Sequence, residues 1–315
     1  MATRVERGDT PADAFIADAP SVVVAHPMAA SCAPLGLDRP VALLGGSHRL
    51  MPGGMPSDLG IDHVAGFRSF VASACRSQAT SGRDWYRHPP LALLGVRGMG
   101  KGTIAHWIAR HAGLPLFRVA FNGLVAADVG RSDRTHRRFP SFPVLAMAAS
   151  CCANPVIVLE FDVEAPPTPE VEAAIAGMID PRRNARWIDD DLKTIFDLSQ
   201  ISWIVEVQAP APNRNRNFNP VSDPPMLPPA LASIIEAVGT VIEIDIPGER
   251  EDLRRLDLAI EVCASSGLAI DPATIADVHA SLSEPRRSNH EFLPAAELIT
   301  RAQQALAHLR LDPAG

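Results

Sequence analysis

Glycines and one lysine lie between an apolar run and a helical pattern. The run Leu91–Leu94 predicts a short buried strand, and the apolar residues after position 103 recur at the spacing of a helix. Between them the sequence reads Gly-x-x-Gly-x-Gly-Lys, and the lysine is Lys101. Glycines let the main chain curl so that successive N–H groups point inward, and a helix N-terminus attracts negative charge. This segment therefore predicts a loop that binds phosphate groups.

The phosphate loop, which we define as residues 95–103, suits a triphosphate such as ATP. The strict motif has Ser or Thr directly after the lysine, whereas this chain has Gly102 there and Thr103 one residue later, an order that resembles nucleotide kinases. We expect Thr103 to be the hydroxyl that reaches Mg²⁺. The alternative is a glycine-rich turn with an incidental lysine. The nucleotide-binding candidates in this loop are Gly95, Arg97, Gly98, Met99, Gly100, Lys101, Gly102 and Thr103.

A second group of polar residues follows the apolar run Val156–Leu159. Glu160 and Asp162 come directly after this predicted strand, and ligands in open α/β sheets lie at the carboxyl ends of strands. An acid at this place can hold Mg²⁺ and help to polarise an attacking water. We therefore expect Glu160 to be a metal ligand, and both Glu160 and Asp162 to be candidate catalytic carboxylates. The alternative is a pair of carboxylates that are only solvated or ion-paired.

Strand and helix patterns alternate along the middle of the chain. Apolar runs predict strands at residues 91–94, 116–121, 156–159, 203–207 and 241–246. Helical patterns fall between most of them, with clear examples at residues 144–150, 169–179 and 229–237. Such alternation predicts an α/β fold with five mostly parallel strands and helices on both faces.

The composition of the two ends differs from that of the middle. We expect a partly ordered extension over residues 1–55, an α/β nucleotide-binding domain over 56–247, and a small helical lid domain over 248–315. The proline- and asparagine-rich loop at 209–229 is unusually long, so it either has a function, such as contacting phosphates, or only faces water.

The overall composition excludes several classes of protein. The chain has 315 residues, 47% of them hydrophobic, and a net charge of −7, which gives no general attraction for nucleic acid or anionic lipid. The N-terminus lacks the order of a signal peptide, and the most apolar stretch, residues 142–159, is interrupted by two prolines. We expect a cytoplasmic protein with no membrane or nucleic-acid partner. Five unpatterned cysteines fit a reducing compartment, with Cys151 and Cys152 buried.

Four stretches resemble the AAA+ ATPase module of Lon-type proteases and their shorter relatives. They are the phosphate loop, residues 154–160 with Asn-Pro, an apolar strand and an acid, residues 179–201 with Asp-Pro-x-x-Asn and then Phe-Asp-Leu-Ser, and residues 227–231. The likeness extends over roughly residues 61–309 and is most specific in the third stretch. It implies ATP and Mg²⁺ as cofactors and a ring, usually a hexamer, that pulls polypeptides through a central pore.

Several catalytic residues that the resemblance implies are replaced in this chain. The family's Asp-Glu pair falls on Glu160 and Phe161, so the carboxylate that orients the attacking water is lost unless Asp162 serves. The polar sensor at the end of the fourth strand is Gln208 in place of asparagine. The arginine that reaches the neighbouring subunit's γ-phosphate falls on Ile234, and such an arginine contributes about 10³–10⁵ in rate.

The resemblance also implies a lid arginine and a pore loop. Arg286 either contacts the bound phosphate from the lid or is a solvated residue at a helix start. Pore-loop residues should lie between positions 121 and 143, where four arginines crowd; the alternative is a basic surface loop.

Four functions remain open at this point. The first is an AAA+-like protein that binds ATP with weak or lost hydrolysis and acts as a nucleotide-dependent switch, adaptor or assembly component, by self-association or with another AAA+ or client protein. The second is an active motor that remodels proteins, with Glu160 or Asp162 as base and an arginine from elsewhere, such as Arg214 or Arg216. The third is a small-molecule kinase, and the fourth is a remnant that binds no nucleotide.

Overall fold

The structure, a computed structural model, describes most of the middle of the chain. The described residues are 19–26, 30–45, 64–96, 100–121, 124, 126–129, 140–162, 167–209 and 231–244. The predicted lid domain and the loop after residue 209 lie outside them, and so do residues 130–139 of the range 121–143 in which the pore loop is expected.

Ten strands occur in the described part of the chain. In chain order they are β1 Ser21–Val22, β2 Ala25–His26, β3 Val41–Ala42, β4 Leu91–Val96, β5 Leu116–Ala120, β6 Val156–Asp162, β7 Trp187–Asp189, β8 Thr194–Phe196, β9 Ser202–Ala209 and β10 Val241–Glu243. Five of them form the central sheet in the order β10-β4-β9-β6-β5, and every neighbouring pair is parallel. Their nearly continuous apolar sequences fit strands that are covered on both faces.

Five α-helices are described. They are α1 Ala65–Ser81, α2 Lys101–Ala112, α3 Phe142–Ser150, α4 Pro169–Ile179 and α5 Ala232–Val238. Helix α4 starts as its sequence predicts, because the Thr168 hydroxyl accepts a hydrogen bond from the Val171 amide and Pro169 occupies the first turn. Helix α2 ends at Ala112, and the left-handed conformation of the following Gly113 lets its N–H cap the last turn.

Two apolar cores lie on opposite faces of the central sheet. Side chains from α1 and α2 pack against one face, where Val156 and Val158 of β6 point. Side chains from α3, α4 and α5 pack against the other face, where Ile157 and Leu159 point. The alternation along β6 therefore sorts its residues between the two cores, and charged residues at even positions of this strand must face α2.

Parts of the N-terminal segment are built into the second core. Val24 is fully buried, and β2 pairs with β8 to extend the β7–β8 hairpin into a three-stranded sheet. Strand β3 pairs with β1, and the Ala42 carbonyl accepts a hydrogen bond from the Ala153 amide. From the sequence we expect only a partly ordered extension over these residues, and the sequence contains no signal for the hairpin.

The sequence also predicts the fold class and the burial of two cysteines. The predicted α/β class with five parallel strands and flanking helices is confirmed. One expectation is wrong: Cys152 is buried, but Cys151 is exposed, because it follows the last turn of α3 in a left-handed conformation. No helix among the described residues is both long and apolar enough to span a membrane.

A buried histidine precedes β4. The ring of His88 packs edge-to-face against Phe70 and Tyr86, and its Nδ1 lies 2.6 Å from the carbonyl oxygen of Pro89. Burial lowers the pKa of His88 to about 4; the hydrogen bond to Pro89 opposes this shift, and the charge of Arg87 adds to it. The neutral ring therefore donates from Nδ1 to the Pro89 carbonyl.

This histidine should make the stability of the fold depend on pH. Its folded pKa lies below the unfolded value of 6.5, so the unfolded chain binds the proton more tightly. Stability should be complete above pH 6.5 and should fall as the pH drops toward 4. Between about pH 7.5 and pH 5 we expect the free energy of unfolding to fall by about 2 kcal/mol more in the wild type than in His88→Asn. Urea unfolding at both pH values measures this difference.

A matched control exists on the surface. His106 lies on the exposed face of α2, so His106→Asn should keep the wild-type pH dependence. Equal pH dependence in the wild type and His88→Asn would show that His88 is not held neutral by burial.

Candidate phosphate-binding site

The phosphate loop joins β4 to α2, as the sequence predicts. Gly100 caps the helix with φ 87° and ψ 13°, a left-handed conformation that glycine adopts without strain, and its carbonyl accepts the first helical hydrogen bond from Ile104. Lys101 is the first residue of α2. The amides at the start of this twelve-residue helix and its dipole favour an anion at this end.

The side chain of Lys101 folds back over the loop. Its Nζ donates a hydrogen bond to the carbonyl oxygen of Gly95 at 2.8 Å, and the side chain is buried. Burial lowers the pKa of Lys101 to about 8, and the carboxylates of Glu206 and Glu160 oppose that shift. A buried ammonium group at a helix N-terminus is a strong candidate for binding an anion.

Three charged residues of neighbouring strands face the same side of the sheet as α2. They are Arg118 on β5, Glu160 on β6 and Glu206 on β9, and the parallel register places Glu160 directly beside Glu206. The odd-numbered neighbours Val119, Phe161 and Val207 point into the opposite core. The strands therefore bring an arginine and two glutamates together next to the start of α2.

The guanidinium of Arg118 bridges the two glutamates. Its Nε donates to Oε1 of Glu160 at 2.6 Å, and its Nη2 lies 3.2 Å from Oε1 and 3.3 Å from Oε2 of Glu206. Glu206 is almost fully buried, and burial raises its pKa to about 7; the charge of Arg118 opposes that shift and the charge of Glu160 adds to it. With Lys101, the cluster contains two cationic and two acidic side chains.

Gly102 provides the space into which this guanidinium fits. A Cβ atom placed on Gly102 would lie 2.9 Å from both Nη1 and Nη2 of Arg118, which is closer than real side-chain contacts allow. A serine or threonine at this position would therefore displace the arginine. The missing side chain at position 102, which departs from the strict motif, therefore leaves the space that the Arg118 guanidinium occupies.

The next residues along the strands contain two further candidates. Asp162 is half-buried at the end of β6, and the register places it beside Gln208 of β9, which in turn pairs with Gly95 of β4. Phe161 between the acids is buried and stacks on Phe121, with ring centroids 4.0 Å apart. Asp162 and Glu160 therefore share the α2 face, whereas the side chain at position 161 is committed to the opposite core.

The structure brings together most of the predicted residues that it describes. Gly95, Gly100, Lys101, Gly102 and Glu160 form one cluster through the contacts given above, and Asp162 and Gln208 lie in register at its edge. Thr103, the predicted metal hydroxyl, is exposed on α2. The candidates Arg97, Gly98, Met99 and Arg286 lie outside the described residues.

Arg118 and Glu206 are not among the site residues predicted from the sequence. A usable signal was present, because each is a charged residue inside an otherwise apolar predicted strand: Leu-Phe-Arg-Val-Ala and Trp-Ile-Val-Glu-Val. A single charge in a buried strand is costly unless it is paired. Two such residues of opposite sign are therefore expected to form an ion pair. The strand order would still be needed to infer that Arg118 and Glu206 lie close together in the sheet.

The position onto which the resemblance places an intersubunit arginine is part of the core. Ile234 lies on α5, is fully buried and packs within the core formed by α3, α4 and α5. Among the described residues, no group of three or more His, Cys, Asp or Glu side chains is arranged to hold a metal ion.

Comparison with known proteins gives distant relatives. No protein-family model matches the chain. It is 33% identical over 172 residues to Lon protease 1 of Sorangium cellulosum, which covers 53% of this chain and 21% of that protein. It is 33% identical over 124 residues to Lon protease 2 of Bdellovibrio bacteriovorus, with 37% and 15% covered. It is 27% identical over 199 residues to Lon protease 2 of Myxococcus xanthus, with 61% and 22% covered.

A solved structure gives the fold. A closed-state cryo-EM reconstruction of Hsp104 with ATPγS and FITC-casein matches with a TM-score of 0.55 and 12% identity, over 84% of this chain and 50% of that one. The alignments with the three Lon proteases span only 15–22% of the length of those proteins. The chain is therefore distantly similar to the AAA+ region of Lon proteases and has an AAA+ fold, as the sequence predicts.

Proposed function

We propose that this AAA+-fold chain binds ATP, hydrolyses it weakly or not at all, and acts as a nucleotide-dependent switch, adaptor or assembly component. The observation that carries the proposal is the position of Lys101, which is buried at the N-terminus of α2 with its ammonium group turned onto the phosphate loop. A glycine cap, a helix N-terminus and a buried cation are the features that recognise a chain of phosphates.

Two buried side chains support impaired hydrolysis. Phe161 occupies the place at which the family has its water-orienting glutamate, and its ring is stacked in the core on the far side of the sheet. Ile234 occupies the place of the intersubunit arginine and is fully buried. Neither side chain can be exchanged for a charged one without rearranging the core.

The residues predicted to bind magnesium together with the nucleotide are not arranged as metal ligands. Glu160, its predicted carboxylate ligand, is bound to Arg118, and Thr103, its predicted hydroxyl ligand, is exposed. The position directly after the lysine has no side chain, and the guanidinium of Arg118 lies beside it. We therefore assign no catalytic step to a metal ion in this chain.

An active AAA+ motor that remodels protein substrates is the second candidate. One observation favours it: Asp162 lies on the α2 face beside Gln208, where a carboxylate could act as the base in place of the missing glutamate. In that case turnover would depend on Asp162, and Asp162→Asn would abolish it while leaving ATP binding unchanged.

Removal of Lys101 tests the proposed ATP binding. Lys101→Ala should weaken binding by about 10- to 100-fold, because one charge-assisted hydrogen bond contributes about 1.5–3 kcal/mol. Titration calorimetry with ATP and the full chain measures the change. Lys193 is the only other lysine of the chain, is exposed and lies far along the sequence, so Lys193→Ala is the matched control and should bind like the wild type.

The same proteins separate the two candidates. If the wild type shows no binding at millimolar ATP, both nucleotide functions are wrong. If turnover with Mg²⁺ is brisk and depends on Lys101, the motor is right and impaired hydrolysis is wrong. Light scattering with and without ATP tests the proposed self-association: an ATP-driven ring supports the motor, whereas a monomer that binds ATP supports an adaptor.

A further inference from the structure

A groove runs along the outer edge of the central sheet. Strand β10 is the last strand of that sheet, and its outer edge pairs with no other described strand. Helix α1 lines the other side of the groove, and the cavity between the helix and the strand has a volume of about 610 Å³. The groove reaches Pro89, just before β4, whereas the phosphate loop follows the end of β4. The two therefore lie at opposite ends of the sheet.

The outer edge of β10 presents main-chain groups. The Thr240 carbonyl accepts a hydrogen bond from the Ala92 amide at 2.8 Å, and the Ile244 amide donates to the Leu94 carbonyl at 2.7 Å. In a parallel ladder alternate residues bond to the same neighbouring strand, so the N–H and C=O groups between these two residues, at positions 241 and 243, face outward. An extended peptide can pair with such groups as an added strand.

Helix α1 leaves room for such a strand. The residues that it contributes to the groove are mostly small, and they recur at three- and four-residue spacing: Gly66, Ser69, Ser73 and Ser77. At one end the helix touches the strand, because a Cβ atom on Gly66 would lie 3.4 Å from Cγ1 of Ile242. From Gly66 to Ser77 the helix rises by about 16 Å, the length of about five extended residues. The groove therefore fits a short extended segment.

Two arginines lie at the other end of the groove, beside the start of β10. Arg83 and Arg87 both line it and are half-buried. Nε of Arg83 donates to the Ser81 hydroxyl at 2.7 Å, and neither guanidinium forms an ion pair with a carboxylate of the described residues. Burial lowers the pKa of Arg87 and the charge of Arg83 adds to this shift, while the charge of Asp197 opposes it. This pair of like charges favours a negatively charged ligand.

A buried histidine of the groove has an acceptor without a partner. His88 lines the groove next to Arg87 and is only 1% exposed. Its Nδ1 is engaged by the Pro89 carbonyl, and its Nε2 has no hydrogen-bond partner among the described residues. A buried acceptor without a donor is costly. A ligand that supplies a hydroxyl or amide donor at this place would remove that cost.

We propose that this groove binds an extended peptide as a sixth strand of the central sheet, with acidic side chains of the peptide at Arg83 and Arg87. Antiparallel pairs are slightly more stable than parallel ones, so the acidic residues belong at the C-terminal end of the peptide, beside the start of β10. Apolar peptide side chains at alternate positions would lie against Phe70, Ala74 and Ile242. The inference does not depend on ATP binding, and it gives the proposed adaptor a class of partner.

A set of capped pentapeptides tests the proposal on the full wild-type chain in buffer without nucleotide. The peptides alternate valine and threonine and end in two glutamates, two glutamines or two lysines. By titration calorimetry we expect the glutamate-ended peptide to bind at least about tenfold more tightly than the glutamine-ended one, and the lysine-ended one to bind most weakly. Equal affinities, or no binding at millimolar peptide, would overturn the proposal. The proposed ATP binding would be unaffected by that failure, because no nucleotide is present.

Removal of the two arginines tests the charge recognition. Arg83→Gln combined with Arg87→Gln should weaken binding of the glutamate-ended peptide by at least about tenfold and remove the preference over the glutamine-ended one. Arg76→Gln is the matched control, since Arg76 is exposed on α1 outside the groove, and it should bind as the wild type does. Thermal melting checks the fold, and Arg83→Gln alone is used if the double variant is not folded. An unchanged preference in a folded variant excludes the arginines as the recognition groups.

A proline tests the added strand. Val241→Pro removes an outward N–H but no hydrogen bond to β4, and proline is tolerated on edge strands in that position. We expect this variant to fold and to lose about tenfold or more in affinity for the glutamate-ended peptide, whereas Val241→Thr keeps the N–H and should bind normally. If Val241→Pro binds like the wild type, the peptide does not pair with β10.

Light scattering of the wild type distinguishes a peptide from a second copy of the chain. A free groove predicts that Val241→Pro leaves the molar mass of the nucleotide-free protein unchanged. If the wild type is instead a dimer that Val241→Pro converts to a monomer, the edge of β10 is occupied by a second copy and the assignment to an acidic peptide is wrong.

Discussion

Replacing Asn154 by alanine is expected to lower the free energy of unfolding by about 3–5 kcal/mol. Asn154 precedes β6 and is fully buried. Its Nδ2 donates to the carbonyl oxygens of Leu44 and Tyr86, each at 2.8 Å, and its Oδ1 accepts from the Leu44 amide at 2.8 Å. Alanine would leave three main-chain groups without their partners, and each such group costs about 1–3 kcal/mol when buried.

Two further substitutions make this expectation specific. Asn154→Asp should be at least as damaging, because a carboxylate can accept from Leu44 but cannot donate to either carbonyl. Gln200→Ala is the matched control: it removes a half-buried amide that accepts one hydrogen bond from Trp85, so the loss should be about 1 kcal/mol. Chemical denaturation measures all three. A loss below about 1 kcal/mol for Asn154→Ala would show that the hydrogen bonds of this amide to Leu44 and Tyr86 do not stabilise the fold.

An arginine at position 234, where the resemblance places an intersubunit arginine, is expected to destabilise the fold rather than to produce hydrolysis. Ile234→Arg would place a guanidinium in an apolar core, at a cost of at least about 4 kcal/mol. A loss of that size is a large part of the stability of an ordinary domain. Thermal melting should show a fall in Tm of about 10 °C or more, or no cooperative transition.

The control for this substitution lies two residues earlier on the same helix. Ala232 is exposed on α5, so Ala232→Arg adds the same side chain to the surface and should change the free energy of unfolding by less than about 0.5 kcal/mol. If Ile234→Arg folds as well as Ala232→Arg and raises ATP turnover, then α5 presents this position to a neighbouring subunit and the buried assignment is wrong.

Much of the fold could be predicted because strands buried on both faces leave a simple signal. The runs before the phosphate loop and before Glu160 are short, apolar and bounded by glycine or proline, so their type and approximate limits follow from the sequence. The helix of Lys101 follows from its periodic apolar face. The hairpin of β7 and β8 could not be predicted, because its strands have only three residues each and β8 pairs with β2, a segment more than 160 residues earlier in the sequence.

The site was predictable only where one segment carries the pattern. The loop that ends in Lys101 is contiguous, so its chemistry could be inferred from spacing alone. The bridge from Arg118 to Glu160 and Glu206 depends on three strands that meet only through the sheet order, and sequence spacing gives no information on that order. The reason for a glycine at position 102 likewise becomes clear only from the structure, which places the Arg118 guanidinium beside it.

The burial of the N-terminal residues has a practical consequence for anyone who shortens this chain. A recombinant fragment that starts at residue 56, where the predicted nucleotide-binding domain begins, would lack Val24, Leu37 and Leu43, all of which lie in the core. It would also lose the two main-chain groups of Leu44 that bond to the Asn154 amide and leave the edge of β8 unpaired. Exposed apolar surface and open strand edges promote aggregation, so expression trials should retain the residues from Ala19 onward.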